Sequence, residues 1–365
     1  MAGKRKKKFS IISSFLKLIS FMLALALIVI PLTLIVFMYF NSPVNDNGQI
    51  IISEYDGIRY SDDGNFLIDI RRGETSQSVG LRLERAGLIN NRYFWNLLCR
   101  YFEEHIKTGT YKLELPATPI AIHSLLVSGR EILHKVTIPE GVTLNKTALI
   151  LEQAGICSAV SFLAAARDRG IINDYGIPNE SMEGYLFPDT YFFPSEYPAE
   201  KTVRKMADNF FSKLDIISPA IRGMSVQELN EKVILASIVE REYRVADEAP
   251  VMAGVFANRL RINMRLQSCA TVEYIITEIQ GKPHPRVLLY VDLEIRNPYN
   301  TYLYSGLPPG PISAPGMVAL RAVIYPANTD FLYFRLTDVS SGRHYFSRTH
   351  DEHIRAGELL VKPPS

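Results

Sequence analysis

The residue best placed for chemistry in this sequence is Glu240, which follows an apolar run from Val233 to Val239. Upstream of the run, Ser225 followed by Glu228 is typical of a helix N-terminus closed by a capping box. The apolar run leaves the predicted helix little polar surface, so we expect the helix to be buried. Glu240 stands eleven positions after Leu229, which is about three helical turns. Glu240 is therefore predicted to project into the core.

A carboxyl group in apolar surroundings is poorly solvated, so its pKa rises toward neutrality and it can act as a general acid. The alternative is that Glu240 lies near the helix end and pairs with Arg244, one turn further on. Glu242 projects from the other side of the helix and is predicted to be a solvated charge. Glu242 is thus a poor second catalytic carboxylate.

Uncharged polar side chains follow the predicted helix at Asn258, Gln267, Thr271 and Tyr274. Their amide and hydroxyl groups suit hydroxyl and acetamido partners. The segment Asn297 to Gly316 has four prolines and three glycines in its last dozen residues, which predicts a rigid loop. Such a loop can wall a groove or serve as an ordinary connection.

Other catalytic chemistry has less support. Three histidines could form a zinc site, but the first lies on a predicted strand and no spacing fixes a supporting carboxylate: His344, His350 and His353. The sequence has neither a G-x-S-x-G elbow nor a P-loop. Three scattered cysteines are predicted to be small buried hydrophobes: Cys99, Cys157 and Cys269. We expect no metal ion and no organic cofactor.

The N-terminus combines a basic cluster with a long apolar segment. Residues 4–8 are all Lys or Arg, and without them the net charge of +2 becomes slightly negative, which argues against a nucleic-acid surface. Residues 18–40 contain no charged residue and are long enough to cross a bilayer. A cleaved signal peptide is the alternative to a retained anchor. The basic cluster predicts a cytoplasmic N-terminus with the rest of the chain outside.

At 365 residues, with 47% hydrophobic and 21% charged residues, the chain can form one large core or two to three modest cores. The pattern from Phe66 to Leu115 predicts a strand, two helices and a strand, and residues 135–156 partly repeat it. Residues 180–194 hold five aromatic residues, for which core packing is favoured over a sugar-binding groove. The hairpin predicted through Ser340 and Gly342 is followed by a short helix.

The layout of residues 65–157 resembles LysM-type modules, which bind glycan chains, although a structural spacer is an alternative. The predicted fold class is α+β, with a single N-terminal transmembrane helix, a LysM-like α+β module and a C-terminal α+β catalytic domain. The predicted segments are a cytoplasmic tail (1–17), transmembrane helix (18–40), linker (41–64), LysM-like module or modules (65–157), catalytic domain (158–355) and C-terminal tail (356–365).

Four ordered motifs run through the chain: EGYLFPDTYFFP, ILASIVEREYRVADEAPVMAGVFANRLRINMRLQSCATVEY, YNTYLYSGLPPGPISAPG and GRHYFSRTHDEH. Together they resemble the endolytic murein transglycosylase family, also called MltG or YceG-like. The resemblance runs from the anchor to about His353. One departure lies in Leu266 to Val272, where Cys269 stands at a position that is Asp in many relatives. This departure puts the pH optimum and subsite detail in doubt.

The resemblance implies a bacterial inner-membrane enzyme that cuts nascent peptidoglycan within the strand and leaves 1,6-anhydro-N-acetylmuramic acid ends. By motif matching, Glu240 is the catalytic glutamate. The same matching places five residues around the glycan cleft: Asn258, Gln267, Thr271, Asn300 and Tyr302. It also implies glycan strands as partners, association with peptidoglycan synthases of the elongation or division machinery, and no nucleic-acid partner.

A lytic transglycosylase needs one acid, because the C6 hydroxyl of muramic acid serves as the nucleophile. Glu240 would protonate the glycosidic oxygen and then accept a proton from that hydroxyl. Two alternatives stay open: a muramidase that uses water with the same acid, and a non-enzymatic glycan-binding scaffold.

Overall fold

The computed structural model describes residues 2–43, 54–60, 65–71, 73–129, 132–195 and 197–357. These residues fall into two compact units, Met1–Ile132 and Leu133–Ser365. Both units combine helices with antiparallel strands, in agreement with the predicted α+β class.

The first helix of the chain, α1 (Ala2–Phe40), contains the predicted anchor. Its segment Phe15–Phe40 is long and apolar enough to cross a membrane. The side chains of this segment are almost all exposed, as expected for a helix whose solvent is lipid and not a protein core. These properties are consistent with membrane anchoring.

The first unit also holds a four-stranded antiparallel sheet in the order β1-β2-β3-β4. Its elements are β1 (Glu54–Tyr55), β2 (Ile58–Tyr60), β3 (Phe66–Ile70), α2 (Ser76–Arg85), α3 (Arg92–Phe102), β4 (Gly109–Leu113) and α4 (Pro119–Ser128). On β3, Phe66, Ile68 and Ile70 are buried and alternate with less buried residues, as expected for a sheet with one covered face. Thr75, Asn91 and Thr118 cap the three helices that follow.

The predicted strand-helix-helix-strand order is present as β3-α2-α3-β4. The LysM likeness itself stays a prediction. The predicted module extends to residue 157, whereas the compact unit ends at Ile132. Residues beyond it, such as Val136 and Leu151, belong to the core of the second unit.

The predicted linker 41–64 lies partly outside the described residues, but its described part contains the β1-β2 hairpin. Asp56 and Gly57 form the turn with positive φ values of 39° and 79°. An Asp-Gly pair between apolar residues is a strong hairpin signal. This part of the predicted linker therefore forms a hairpin. The C-terminal tail predicted at 356–365 lies outside the described residues from 358 onward.

The second unit is built around helix α9. Its elements are β5 (His134–Thr137), α5 (Leu144–Gln153), α6 (Ala159–Ala165), α7 (Arg169–Asp174), β6 (Thr190–Phe193), α8 (Ala199–Ile217), α9 (Val226–Glu242), α10 (Ala249–Arg261), α11 (Cys269–Tyr274), α12 (Met317–Ile324), β7 (Tyr333–Asp338), β8 (Arg343–Ser347) and α13 (His350–Ala356). β5 pairs with β6 and β7 pairs with β8, both antiparallel.

Helix α9 is buried from Val233 to Val239, as the apolar run predicted, whereas its first two turns are mostly exposed. Val233, Ala236, Ile238 and Val239 are fully buried. Helices α10, α11 and α12 all pack against α9. The helix is therefore a rigid support for whatever its last turn presents.

Four of the five aromatic residues of segment 180–194 pack into the core, in agreement with the favoured expectation, whereas Phe192 is exposed. Tyr185, Phe187, Tyr191 and Phe193 are all at most 5% exposed. The Tyr185 hydroxyl donates to Asn230 Oδ1 on α9 at 2.8 Å, so this segment is also fixed to the central helix.

Candidate active site

The last turn of α9 presents Glu240. Ser225 caps the start of the helix by accepting a hydrogen bond from the Glu228 N–H at 3.1 Å, which is one of the two bonds of the predicted capping box. Glu240 is half-buried and does not lie fully in the core, because the helix ends at Glu242 and its last turn reaches the surface. The carboxyl is thus both poorly solvated and accessible.

Two groups donate hydrogen bonds to the Glu240 carboxyl. The Gly316 N–H donates to Oε2 at 2.9 Å, and the Tyr243 hydroxyl donates to Oε1 at 3.3 Å. Among the residues that the structure describes, no ion pair joins Glu240 to Arg244, so the pairing alternative has no support. The Glu240 carboxyl is held by a hydrogen bond from a backbone N–H and not by an ion pair with a cation.

Burial raises the pKa of Glu240 to about 7. The Gly316 N–H opposes this shift because it stabilises the ionised form, while the nearby charge of Glu140 adds to the shift. A carboxyl with a pKa near 7 can donate a proton and take one back at neutral pH. The carboxylate form, once produced, keeps the Gly316 N–H as a donor.

The proline-rich loop before α12 is held against α9. Ser237, three residues before Glu240, accepts a hydrogen bond from the Ile312 N–H at 3.0 Å. The Ser313 hydroxyl donates to the Ser237 carbonyl at 3.0 Å. The predicted rigid loop therefore has a fixed position, and that position brings the Gly316 N–H to Glu240.

A second contact fixes the same loop from the turn between β5 and α5. The Gly141 N–H donates to the Ala314 carbonyl at 2.9 Å, and the Ala314 N–H donates to the Val142 carbonyl at 2.8 Å. Gly141 has a φ of +72°, and a β-carbon there would lie 3.7 Å from Cγ of Glu240. The turn thus borders the acid directly.

Glu140, in this turn, is the site residue that the sequence analysis missed. It is exposed, and its carboxyl lies so close to Gly316 that a β-carbon at position 316 would collide with it. Standard backbone geometry then keeps the Glu140 and Glu240 carboxyl groups within about 7 Å of each other. No hydrogen bond or ion pair to the Glu140 carboxylate occurs within the described ranges. In the sequence, the feature that could have indicated Glu140 is its position next to Gly141, in the turn between β5 and α5.

Glu242 is not the solvated charge that was predicted. It is half-buried, and its carboxylate accepts a short hydrogen bond from the Ser268 hydroxyl. Burial raises the pKa of Glu242 as well, because the segment before α11 covers that side of the helix. Glu242 faces α11, whereas Glu240 faces the proline-rich loop.

Four of the five predicted glycan contacts form one cluster near Glu242. The Gln267 N–H donates to the Thr301 carbonyl at 3.1 Å, and the Thr271 hydroxyl lies 2.9 Å from the Thr301 hydroxyl. Asn300 donates to the Leu293 and Ile295 carbonyls, and its side-chain oxygen accepts from the Tyr302 N–H. Thr271 and Asn300 are fully buried. Their polar groups therefore hold the chain together.

Asn258 lies apart from that cluster. Its amide donates to the Thr329 carbonyl at 2.7 Å and to the Phe331 carbonyl at 3.1 Å. Both of its N–H groups are thus engaged with the segment before β7.

Within the four-residue cluster, Gln267 and Tyr302 are the two predicted contacts that are not fully buried. Gln267 is exposed and has an unusual positive φ of 50°. Tyr302 is half-buried, with its hydroxyl 3.1 Å from Sγ of Cys269. Cys269 is exposed, contrary to the prediction of three buried cysteines, and Cys99 and Cys157 are half-buried. The residue at the family's Asp position thus lies beside Tyr302.

A further carboxyl group, Glu183, is buried in the second unit. Its two oxygens accept from the Leu144 N–H, at the start of α5, at 3.1 and 3.0 Å. Burial raises the pKa of Glu183 to about 8. In the sequence, Glu183 is distinguished only as part of the aromatic-rich segment 180–194.

The histidine-based zinc alternative finds no support in the arrangement. His344 Nδ1 lies 2.8 Å from Oε2 of Glu248 and is engaged there. Within the part of the chain that the structure describes, no group of three or more His, Cys, Asp or Glu side chains could hold a metal ion. The chemistry available at Glu240 is proton transfer.

Comparisons with known proteins bear on the same regions. The model of the YceG-like family matches residues 68–358. Endolytic murein transglycosylases from Streptococcus pneumoniae and Bacillus subtilis are each 30% identical to the chain, over 319 and 311 residues. The alignment with the streptococcal protein covers 79% of this chain and 57% of that protein. The alignment with the Bacillus protein covers 80% of this chain and 84% of that protein. The chain thus spans little more than half the length of its streptococcal relatives.

A solved structure agrees with the family match. A crystal structure titled as a yceG-like protein from Listeria monocytogenes is 30% identical, with a TM-score of 0.53, and the match covers 80% of this chain and 98% of that one. Since the family model matches most of the chain, the protein belongs to the YceG-like family.

Proposed function

We propose that this protein is an endolytic lytic transglycosylase that cleaves the bond between N-acetylmuramic acid and N-acetylglucosamine within peptidoglycan strands. The observation that carries the proposal is Glu240, a half-buried carboxyl with a pKa of about 7 that is held by the Gly316 N–H. The names of the Streptococcus and Bacillus relatives support the same activity.

In the proposed reaction, protonated Glu240 gives its proton to the glycosidic oxygen as the bond from that oxygen to C1 of muramic acid breaks. The C6 hydroxyl of the same sugar forms a new bond to C1 and releases its proton to the Glu240 carboxylate. The products are a 1,6-anhydro end and a free hydroxyl on the departing sugar, and Glu240 is protonated again. One group serves as acid and then as base, which requires a pKa near the working pH.

The muramidase alternative has one specific observation in its favour. Hydrolases that cleave glycosidic bonds usually use two carboxyl groups, and Glu140 places a second one within about 7 Å of Glu240. We assign Glu140 a different role, because its negative charge helps to keep Glu240 protonated. The alternative makes a different product, so it can be tested directly.

For glycan contacts, the exposed Gln267 and the half-buried Tyr302 are the strongest of the five predicted residues. We assign Asn258, Thr271 and Asn300 to holding the loops around them, since their polar groups are engaged within the chain. The scaffold alternative predicts binding without cleavage.

The proposed location is the bacterial inner membrane, with α1 crossing it once, the N-terminus in the cytoplasm and both units outside. Nascent glycan strands would then be within reach, and peptidoglycan synthases are the proposed protein partners. A glycan-binding role for the LysM-like module belongs to the same proposal.

The test is to incubate the full chain in detergent with uncrosslinked glycan strands and to identify the products by mass spectrometry. Glu240→Gln is the test variant and Glu242→Gln the matched control, since both sit in the last turn of α9. We expect anhydro-ended fragments from the wild type and the control but not from Glu240→Gln. Reducing ends, which are one water heavier, would support the muramidase, and binding without cleavage would support the scaffold.

A further inference from the structure

Helix α3 of the first unit exposes an apolar face. Tyr93, Leu97 and Tyr101 are 68%, 62% and 79% exposed. They are spaced by four residues, so they lie along one side of the helix. The opposite side is buried through Trp95 and Leu98. An outward row of large apolar side chains has no role in the core of this unit.

The exposed face borders the end of the apolar helix α1. The ring of Phe94 lies 5.7 Å from that of Phe37 and 5.9 Å from that of Phe40. An apolar cleft of about 650 Å³ lies between the two helices, lined by Thr33, Leu34, Val36, Phe37 and Phe40 of α1 and by Asn91, Tyr93, Phe94 and Leu97. The face therefore continues the apolar surface of α1.

Polar contacts fix the end of α1 to the rest of the unit. The Ile120 N–H donates to Oδ1 of Asn41 at 3.2 Å. The side-chain amide of Asn90, just before α3, donates to the Ser42 hydroxyl at 3.2 Å. The position of α3 beside α1 is thus held from two sides.

The length of α1 sets the depth at which α3 meets a membrane. The apolar segment has 26 residues, which as a helix spans about 39 Å, whereas the hydrocarbon core of a bilayer is about 30 Å thick. Counted from the inner boundary, the excess of about 9 Å corresponds to about six residues, so most of the last two turns of α1, which line the cleft, extend into the boundary between acyl chains and headgroups. Helix α3 lies alongside these two turns.

The composition of α3 fits that boundary. Tyrosine is enriched there because its ring is apolar and its hydroxyl is polar. Arg100 is exposed near the apolar row, and the Arg92 guanidinium lies 5.1 Å from the centre of the Tyr93 ring. Arginines can extend from such a position toward anionic headgroups.

We propose that α3 is an interfacial helix that inserts Tyr93, Leu97 and Tyr101 into the outer leaflet of the same bilayer that α1 crosses. The inference rests on the proposed anchoring by α1. The inserted helix α3 holds the first unit against the membrane surface. This face of α3 is then covered by lipid and is not available to glycan strands.

The experiment uses the full chain, with its three native cysteines replaced by serine, in nanodiscs of phosphatidylglycerol and phosphatidylethanolamine that hold one copy each. A fluorophore is attached to a single cysteine introduced at Leu97, at the exposed Gln77 of α2 as control, or at Leu27 within α1. Doxyl-labelled lipids quench from the bilayer, and iodide quenches from water. The chain's one tryptophan, Trp95, is buried and reports whether each variant is folded.

We expect the Leu97 label to be quenched several-fold more by lipids with a shallow doxyl group than the Gln77 label, with iodide showing the reverse. If the Leu97 label responds to iodide as the Gln77 label does, the inference is overturned, and the face remains for a protein partner. The Leu27 label tests the anchor separately. Failure of deep doxyl lipids to quench it would contradict the anchoring proposal itself.

Discussion

Glu240 and Glu183 are two carboxyl groups of the same unit whose pKa values are both raised by burial, to about 7 and about 8. Glu183 is 6% exposed and both of its oxygens bind the N–H that opens α5. Glu240 is half-buried, sits on a rigid helix end, and has a second carboxylate beside it. A raised pKa alone therefore does not identify an acid catalyst, and access to a substrate decides between the two.

The largest expected effect is on catalysis by Glu240→Gln. Removing the proton donor should lower kcat/KM for glycan cleavage by about 10²–10⁴-fold, the usual contribution of a general acid. Thermal stability should hardly change, because glutamine can still accept from the Gly316 N–H. The measurement is the rate of fragment release, with Glu242→Gln as control. If the Glu240→Gln protein retained most of its activity, Glu240 would not be the acid, and the contrast drawn between Glu240 and Glu183 would fail.

The second prediction concerns stability and Glu183. Its pKa is near 4.5 when unfolded and about 8 when folded, so the folded state binds more protons between these values. This group's contribution to the free energy of unfolding is therefore full below pH 4.5 and is lost as the pH rises to about 8. Glu183→Gln keeps an acceptor for the Leu144 N–H and should flatten this decline while retaining glycan cleavage.

Urea unfolding at several pH values, followed by circular dichroism, provides the measurement. Loss of cleavage by a folded Glu183→Gln variant would mean that Glu183 takes part in the reaction.

A smaller effect is expected from Ser237→Ala. The substitution leaves the buried Ile312 N–H without its acceptor, at a cost of about 1–3 kcal/mol. The loop that delivers the Gly316 N–H should then be less well positioned, so kcat/KM should fall by a few-fold. Thermal unfolding and initial rates measure the two effects, and Ser340→Ala in the exposed β7-β8 turn is the control. An unchanged rate despite lower stability would show that the loop does not position the acid.

The smallest expected effect comes from Glu140→Gln. Loss of a negative charge about 7 Å away should lower the pKa of Glu240 by about half a pH unit in a water-like medium. The acid is active when protonated, so the alkaline limb of the kcat/KM profile should move to lower pH. If Glu140 were instead a nucleophile or base, activity would be lost at every pH.

Much of the fold followed from local patterns. The apolar run and the Ser225 cap predicted α9, and the absence of charge over residues 18–40 predicted the apolar helix. The raised pKa of Glu240 also followed, since an apolar helix must be buried. These features depend on neighbours within a few turns.

The partners of Glu240 could not be predicted, because they come from distant parts of the chain. Gly316 is 76 positions away and Glu140 is 100. The proline-rich loop brings them together because it packs both on Ser237 and on the turn that holds Glu140. Asn300 illustrates the opposite error. A polar residue in a loop looks the same in sequence whether it binds a ligand or closes the loop on itself.

The central claim is that the site keeps Glu240 protonated near neutral pH so that it can act as the acid. The most direct test is a ¹³C NMR titration of the glutamate side chains, with Glu240→Gln for assignment, set against the pH profile of kcat/KM. We predict that the Glu240 carboxyl titrates near pH 7 and that the alkaline limb of the profile falls at the same pH. A carboxyl that titrates near 4.3, the ordinary value for glutamate, would contradict the account.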